Sequence, residues 1–362
     1  MIDNTQTFIK LMEQGKIRVH DNPLLHTNPE PLSSGFNFDK VEGMLLGAAI
    51  GDSLGAASES LTPSERRKRY GEIKDYIPYK RSNHKPLGAP TDDTQLTFRT
   101  LKQLIKDEGL IPDNLAKMFC KHHISGIGST TKEFIRNYKD RHKTWYDSGP
   151  DSLGNGVLMR ISPVVIPYLR TPSHSMYIDA VLDSVITHNS FANTATNAAF
   201  VHIFWELLDM KYPPDARWWI DTYCESAEKL EGNATYANHR ESLWQFTYRV
   251  VNDAMRRNLS TLQACSEWGS GANLFETVPS VLYILARHSQ NTEEAIIRAV
   301  NDTKDNDTVA AIVGAVTGAL NSLNSVPSRW IKNLTGRING DDDGEVFKLI
   351  LEAKRKFWLG LD

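Results

Sequence analysis

From Val41 onward, apolar residues recur at intervals of three and four, which is the spacing of helices that bury one face. The pattern is clearest in the stretches AVLDSVITHN (180–189), NAAFVHIFWELLDM (197–210) and VPSVLYILARH (278–288). Alternating strand patterns bounded by turn residues are scarce, and no repeat has the period of a solenoid. The sequence therefore predicts an all-α fold with a single domain that covers residues 41–362.

Two of the predicted helices carry small residues at four-residue spacing, which places them on one helix face. The small residues are Gly43, Gly47, Gly51 and Gly55 in the first helix, and Ala310, Gly314 and Gly318 in the second. Glycine inside a helix costs about 1 kcal/mol relative to alanine, so such a ridge needs a compensating contact. We expect the two ridges to pack closely against each other in one core.

Residues 1–40 have a different character, because prolines at positions 23, 29 and 31 prevent a long helix and remove backbone donors. We interpret this segment as an N-terminal arm outside the core. Its apolar side chains are candidates for docking onto the domain itself or onto a partner. They are Phe8, Leu11, Met12, Leu24, Leu25, Phe36 and Phe38.

Composition excludes some classes of protein. Hydrophobic residues make up 40% of the chain, charged residues 23%, and the formal charge is −3, so nothing indicates a nucleic-acid or anionic-membrane binder. The three cysteines form no CxxC pair and are typical of reduced cytosolic proteins. The N-terminus lacks a secretory pattern and no apolar run is long enough to span a membrane, so we expect a cytoplasmic protein.

Acidic and hydroxyl side chains cluster where helices begin. Thr91-Asp92-Asp93-Thr94 precedes one helical pattern, and Asp305, Asp307 and Thr308 precede the second glycine-ridged helix. Capping explains either cluster alone, since such residues satisfy the free N–H groups of a first turn. A third acidic pair, Asp52 and Glu59, ends the first glycine-ridged helix. Because all three clusters accompany closely packing helices, a Mg²⁺ or Mn²⁺ site is the alternative to capping.

A glycine-rich turn, Gly154-Asn155-Gly156, lies at the start of another helical stretch. Its backbone N–H groups can cradle a diphosphate, although an ordinary turn would have the same sequence.

Taken together in chain order, these motifs resemble the ADP-ribosylglycohydrolase family, which includes dinitrogenase reductase-activating and ADP-ribosylarginine hydrolase enzymes. The matching segments are Gly-Asp-x-x-Gly (51–55), Thr-Asp-Asp-Thr (91–94), Gly-Asn-Gly-x-x-Met-Arg (154–160), Thr-His (187–188) and Asp-x-Asp-Thr (305–308). The resemblance implies an all-α fold with two Mg²⁺ or Mn²⁺ ions. The implied metal ligands are Thr91, Asp92, Asp93, Asp305, Asp307 and Thr308. The resemblance also implies that Gly154, Asn155 and Gly156 hold the diphosphate, with His188 near the nucleotide. The sequence departs from the family pattern at Thr303-Lys304, where glycines are frequent, and at Asn306 between the two acids. It also has Asn189-Ser190 after the Thr-His motif, where the family has His-Pro.

The implied reaction is hydrolysis of the N-glycosidic bond between ADP-ribose and an arginine of a modified protein. Divalent ions can orient the ribose and activate water, and Glu59, Asp92 or Asp93 can move the proton. Serine-linked or O-acyl ADP-ribose is an alternative substrate within the same fold. A protein that acts mainly by contact is the alternative of a different class. Because the family includes immunity proteins against ADP-ribosylating toxins, residues 1–40 are also a candidate for blocking a cognate toxin.

Overall fold

The computed structural model describes residues 2–78, 87–339, 342 and 344–361. Within these ranges the chain forms helices and no strand, which confirms the predicted all-α fold. The α-helices are α1 Thr5–Glu13, α2 Asp39–Gly55, α3 Pro63–Tyr70, α4 Asp92–Asp107, α5 Pro112–Lys121, α6 Ser129–Ile135, α7 Trp145–Ser148, α8 Ser175–Thr187, α9 Phe191–Asp209, α10 Trp218–Glu231, α11 Leu243–Arg256, α12 Thr261–Trp268, α13 Leu274–His288, α14 Thr292–Asp302, α15 Asn306–Asn321, α16 Ser328–Asn333 and α17 Glu345–Ala353. Short 3₁₀ or π turns are Pro23–Leu25, Ala56–Ser58, Arg136–Asp140, Leu158–Arg160, Ser162–Tyr168, Leu323–Ser325 and Lys354–Leu359.

The two glycine-ridged helices, α2 and α15, pack on each other with their backbones in contact, as the spacing predicts. A Cβ atom added to Gly47 would lie 2.1 Å from the carbonyl oxygen of Gly314. One added to Gly55 would lie 2.4 Å from the Cα of Asp307. No side chain larger than hydrogen fits between these backbones, so the glycines set the distance between the helices. The contact also brings the C-terminal end of α2 onto the N-terminal end of α15.

The remaining helices enclose this central pair. Helices α9, α13 and α14 contact α15, and α4 contacts α2. Nearly every side chain of α15 is buried, as are those of α2 from Gly43 to Gly55. Among the described helices, none combines the length and apolar character needed to cross a lipid bilayer. The ends of α2, α4 and α15 therefore meet inside the protein, where their polar side chains have little access to bulk water.

The N-terminal segment packs as part of the same core, so its interpretation as an arm outside the core is wrong. Its apolar side chains that are buried there are Phe8, Leu11, Ile17, Val19, Leu25, Phe36 and Phe38. Residues 2–40 are thus not an arm outside the core, although their helices are short, as predicted. The domain boundary at residue 41 and any contact of this segment with a toxin stay predictions. The burial means that a truncation would expose core surface as well as remove a binding segment.

The segment is anchored by a buried polar contact. The side-chain amide of Asn4 donates hydrogen bonds to Asp179 Oδ1 at 2.7 Å and to the carbonyl oxygen of Leu110 at 2.9 Å. The hydroxyl of Tyr168 donates to the other oxygen of Asp179 at 2.7 Å. Burial raises the pKa of Asp179 to about 7, although these hydrogen bonds oppose the shift.

This carboxyl predicts a pH-dependent stability. Because its pKa is higher in the folded protein than the unfolded value of about 4, its stabilising contribution is fully present below pH 4. The contribution is lost as the pH rises through about 7. Relative to Asp179→Asn, the free energy of unfolding of the wild-type protein should fall by about 2 kcal/mol between pH 5 and pH 8.5. Urea titrations of both metal-free proteins across this range measure the difference, and a constant difference would contradict the prediction.

Candidate metal centre

Asp52, on the buried face of α2, organises the start of α4. Its carboxylate accepts hydrogen bonds from the backbone N–H of Thr91 at 2.9 Å and of Thr94 at 3.1 Å. It also accepts from their hydroxyls, at 2.7 Å and 2.5 Å. Thr91, at the N-cap position, makes no side-chain capping bond of its own. Thr91 thus holds the N-cap position that the sequence allows for it, but the acceptor for the first N–H groups of α4 is Asp52 of a neighbouring helix.

The carboxylates form two groups that share one member. One oxygen each of Asp52, Asp93 and Asp307 lie within 4.8 Å of one another, and the same holds for Glu59, Asp305 and Asp307. Asp305 occupies the N-cap position of α15 but makes no side-chain capping bond there. Two adjacent groups of three carboxylates joined by Asp307 are a suitable ligand set for two divalent cations.

The structure places the predicted metal ligands close together, but some of them hydrogen-bond to other ligand candidates and orient them. The Thr91 hydroxyl donates to Asp52 and, at 3.1 Å, to Asp93, so it orients two carboxylates. The Thr308 backbone N–H donates to Asp307 Oδ1 at 2.9 Å. Sequence reasoning did not assign Asp52 as a ligand. The available signal was its position directly after Gly51, beside the glycine ridge of α2.

The carboxylates of these two groups are close enough to repel one another, and a bound cation would relieve that repulsion. Burial raises the pKa of Asp93 and of Asp307 well above the usual value, and the neighbouring carboxylates raise both further. Burial also raises the pKa of Asp52, although hydrogen bonds from the two threonines oppose the shift. Asp93 Oδ1 is buried and has no hydrogen-bond partner among the described residues. A bound divalent ion would neutralise part of this negative charge and would give the unpartnered oxygen of Asp93 a ligand bond. The residues present therefore fit such a metal.

A cleft of about 210 Å³ opens over the carboxylates. Its lining includes ten of the eleven predicted site residues, all but Thr91, together with seven residues that sequence reasoning missed. The predicted residues in the lining are Glu59, Asp92, Asp93, Gly154, Asn155, Gly156, His188, Asp305, Asp307 and Thr308. The residues that sequence reasoning missed are Gly126, Gly128, Ser129, Thr130, Thr131, Met159 and Ala272. Gly126 has φ +90°, and an added Cβ would lie 2.8 Å from Asp92 Oδ1. Two glycines just before α6, followed by the three hydroxyl residues that begin this helix, were the available signal for this wall.

The glycine turn does more than line the cleft. The side-chain amide of Asn155 donates to Asp305 Oδ2 at 2.6 Å and to the Thr277 hydroxyl at 3.0 Å. The Gly154 N–H donates to the Ser152 hydroxyl, and the Asn155 N–H donates to a backbone carbonyl. Two of the three predicted backbone donors are therefore used within the protein. Asn155 positions a candidate metal ligand, and diphosphate binding by the turn stays a prediction.

His188 lies buried beneath this turn. A Cβ added to Gly156 would lie 3.0 Å from its Cε1, and one added to Gly154 would lie 3.2 Å from its Nε2. Its Nδ1 is 2.9 Å from the hydroxyl of Thr187, which accepts a hydrogen bond from Arg160 at 3.0 Å. Burial, and then the charge of Arg160, lower the pKa of His188 to about 3. The ring is therefore neutral at physiological pH, and its contact with a nucleotide stays a prediction.

Comparison with known proteins identifies the family to which this chain belongs. The family model described as ADP-ribosylglycohydrolase matches residues 34–356, which include every residue of the two carboxylate groups. The chain belongs to the ADP-ribosylglycohydrolase family. Members of this family are metal-dependent glycohydrolases, in agreement with the acidic groups found here.

Several relatives cover most of this ADP-ribosylglycohydrolase family member at low identity. The ADP-ribosyl-[dinitrogen reductase] glycohydrolase of Rhodospirillum rubrum is 25% identical over 87% of this chain and 97% of its own length. The ADP-ribosylarginine hydrolase Tri1 of Pseudomonas putida is 24% identical over 82% of this chain and 74% of its own. The mouse ADP-ribosylhydrolase ARH3 is 21% identical over 84% and 90%, respectively.

A solved structure supports the fold. The ADP-ribosylglycohydrolase-related protein complex matches with a TM-score of 0.66 and 23% identity, and it covers 88% of this chain and 98% of its own. The likeness confirms that the α-helical architecture is that of ADP-ribosylglycohydrolases.

Proposed function

We propose that this protein is a hydrolase that uses two Mg²⁺ or Mn²⁺ ions to cleave the N-glycosidic bond of ADP-ribosylated arginine on proteins, releasing ADP-ribose. The observation that carries the proposal is the pair of carboxylate groups joined at Asp307, at the base of a cleft. His188 and the 154–156 turn form part of the wall of the same cleft, beside these carboxylates.

Each ion has a definite set of candidate ligands. Asp52, Asp93 and Asp307 would hold one ion, and Glu59 and Asp305 would join Asp307 in holding the other. When bound, such ions supply Lewis acidity and orient substrate oxygens. Before metal binding, the buried carboxylates repel one another, so their arrangement is already suited to attract a dication.

The remaining requirements fall to the protein's own side chains. Cleavage at the ribose develops oxocarbenium character at its C1″ atom, and negative carboxylates lining the cleft stabilise that charge. Hydrolysis places the oxygen of water on C1″ and returns a proton to the guanidine nitrogen that leaves. A carboxylate must accept this proton from water and pass it on, and Glu59, Asp92 and Asp93 line the cleft where such a group is needed.

Arginine is the proposed acceptor because one of the relatives is named an ADP-ribosylarginine hydrolase. The name of the mouse relative, ADP-ribosylhydrolase ARH3, specifies no acceptor, and its identity to this chain is comparable. Serine-linked ADP-ribose is therefore the second candidate substrate, and a direct comparison separates the two.

We expect the protein to release ADP-ribose from arginine-modified protein in the presence of Mg²⁺, and to lose this activity on chelation. The assay offers arginine-linked and serine-linked substrates side by side, with Mg²⁺, with EDTA, and with Mn²⁺ added back after EDTA. Release from the serine-linked substrate alone would reverse the assignment of the acceptor. Undiminished release in EDTA would overturn the role of the metal.

A further inference from the structure

Arg66 lies in the basic stretch PSERRKRY, which forms α3, but it does not share the exposure of its neighbours. The side chain of Arg66 is 0% exposed, whereas Arg67, Lys68 and Arg69 are exposed. A fully buried arginine is uncommon unless its donors are satisfied and its charge is compensated. The partners of Arg66 therefore indicate what it does.

The guanidinium group of Arg66 joins two segments that lead to metal-ligand candidates. Its Nη1 donates to the carbonyl oxygens of Val300 at 2.7 Å and of Thr303 at 2.8 Å. Its Nη2 donates to the carbonyl oxygen of Leu61 at 2.9 Å. Leu61 follows Glu59 by two residues, and Thr303 precedes Asp305 by two. One planar side chain thus ties together the two backbone segments that carry the second carboxylate group.

A second side chain reinforces the same junction. Asn306, one of the departures from the usual family pattern, donates from its Nδ2 to the Ser58 hydroxyl at 3.0 Å and to the carbonyl oxygens of Gly55 and Val300 at 3.2 Å. Val300 is in the last turn of α14, where a cation complements the helix dipole. The positive charge of Arg66 also lies close enough to interact with Asp307.

We propose that Arg66 is a positioning residue for Glu59 and Asp305, the two carboxylates that belong to the second group alone, and that it selectively supports the ion held there. The other group depends on a different set of bonds, those from Thr91 and Thr94 to Asp52, which do not involve Arg66. This inference rests on the proposed two-ion function. It goes further by assigning separate structural supports to the two ions.

The test is Mn²⁺ binding, counted from the electron paramagnetic resonance signal of free Mn²⁺ during titration of the full-length protein. The wild-type protein should bind two ions. In Arg66→Met, one ion should bind as in wild type and the other about 10-fold more weakly. This is the lower end of the effect of removing a group bonded directly to a metal ligand, because Arg66 holds the backbone beside the ligands. Arg66→Lys should show a smaller loss at the same site, because an ammonium keeps the charge but cannot span both segments.

Lys68→Met is the matched control, because it removes one positive charge from the same helix at an exposed position. It should bind both ions as the wild-type protein does. Equal weakening of both ions in the Arg66 variants, or wild-type binding of both, would overturn the positioning role. If Arg66→Met fails to show a helical circular dichroism spectrum, the test rests on Arg66→Lys. Selective weakening of one ion in that variant would support the positioning role, and equal or no weakening would overturn it. Absence of Mn²⁺ binding by the wild-type protein would instead refute the proposed two-ion function itself.

Discussion

The Asp307→Asn protein is expected to lose about a thousandfold or more in kcat for release of ADP-ribose. Asp307 is the one carboxylate that belongs to both groups, so its replacement removes a ligand from both candidate ions at once. Metal ions supply several kcal/mol of transition-state stabilisation in such reactions, and each 1.4 kcal/mol or so corresponds to a factor of ten in rate. Initial rates with arginine-linked substrate at saturating Mg²⁺ measure the loss.

The same substitution should have the opposite effect on the stability of the metal-free protein. Burial and the charges of Asp305, Asp93 and Glu59 raise the pKa of Asp307, so ionising this carboxyl costs more free energy in the folded protein than in the unfolded chain. A neutral amide of similar size removes this repulsion, and we expect the melting temperature of the metal-free variant to exceed that of wild type. Mg²⁺ should raise the melting temperature of wild type but have little effect on the variant.

Asp140→Asn, at an exposed position outside the cleft, is the control for loss of one negative charge. It should keep both the wild-type kcat and the stabilisation by Mg²⁺. If Asp307→Asn retained full activity, or were stabilised by Mg²⁺ as much as wild type, Asp307 would not be the shared ligand.

Sequence alone predicted the features that depend on local spacing. Four-residue glycine ridges identified α2 and α15 as partners because only close backbone contact compensates for glycine in a helix. The acidic residues at the starts of α4 and α15 indicate either capping or a metal site, and the family resemblance implies that both clusters bind the same two ions. The cap of α4 was not predictable in this way. It comes from Asp52, 39 residues before Thr91, and such a bond appears only when the helices are assembled.

Two other features depended on tertiary context. Nothing in PSERRKRY marks which of its basic residues points inward, so the sequence does not distinguish the buried Arg66 from its exposed neighbours. The N-terminal segment was assigned outside the core because prolines argue against long helices. However, short helices bury side chains well when a groove accepts them, as α1 does with Phe8. Local sequence predicts the length of a helix more reliably than it predicts which other part of the protein that helix packs against.

The central helix contact leads to the second large expected effect, in Gly51→Ala. A Cβ at this position would lie 2.0 Å from the carbonyl oxygen of Ala310, and the atoms it meets are backbone that cannot rotate away. We expect the free energy of unfolding to fall by about 3 kcal/mol, because the strain of overpacking exceeds the gain of about 1 kcal/mol in helix propensity. Urea titration measures the change.

Gly35→Ala provides the matched control, because the nearest atom to its added Cβ is the Ser33 hydroxyl oxygen at 3.7 Å, an ordinary contact. Its stability should stay within about 0.5 kcal/mol of wild type. Gly51→Ala should also weaken Mn²⁺ binding, since separating α2 from α15 moves Asp52 away from Asp307. A Gly51→Ala protein as stable as wild type would show that the helices can separate at little cost. In that case the glycine ridge would not set the distance on which the carboxylate groups depend.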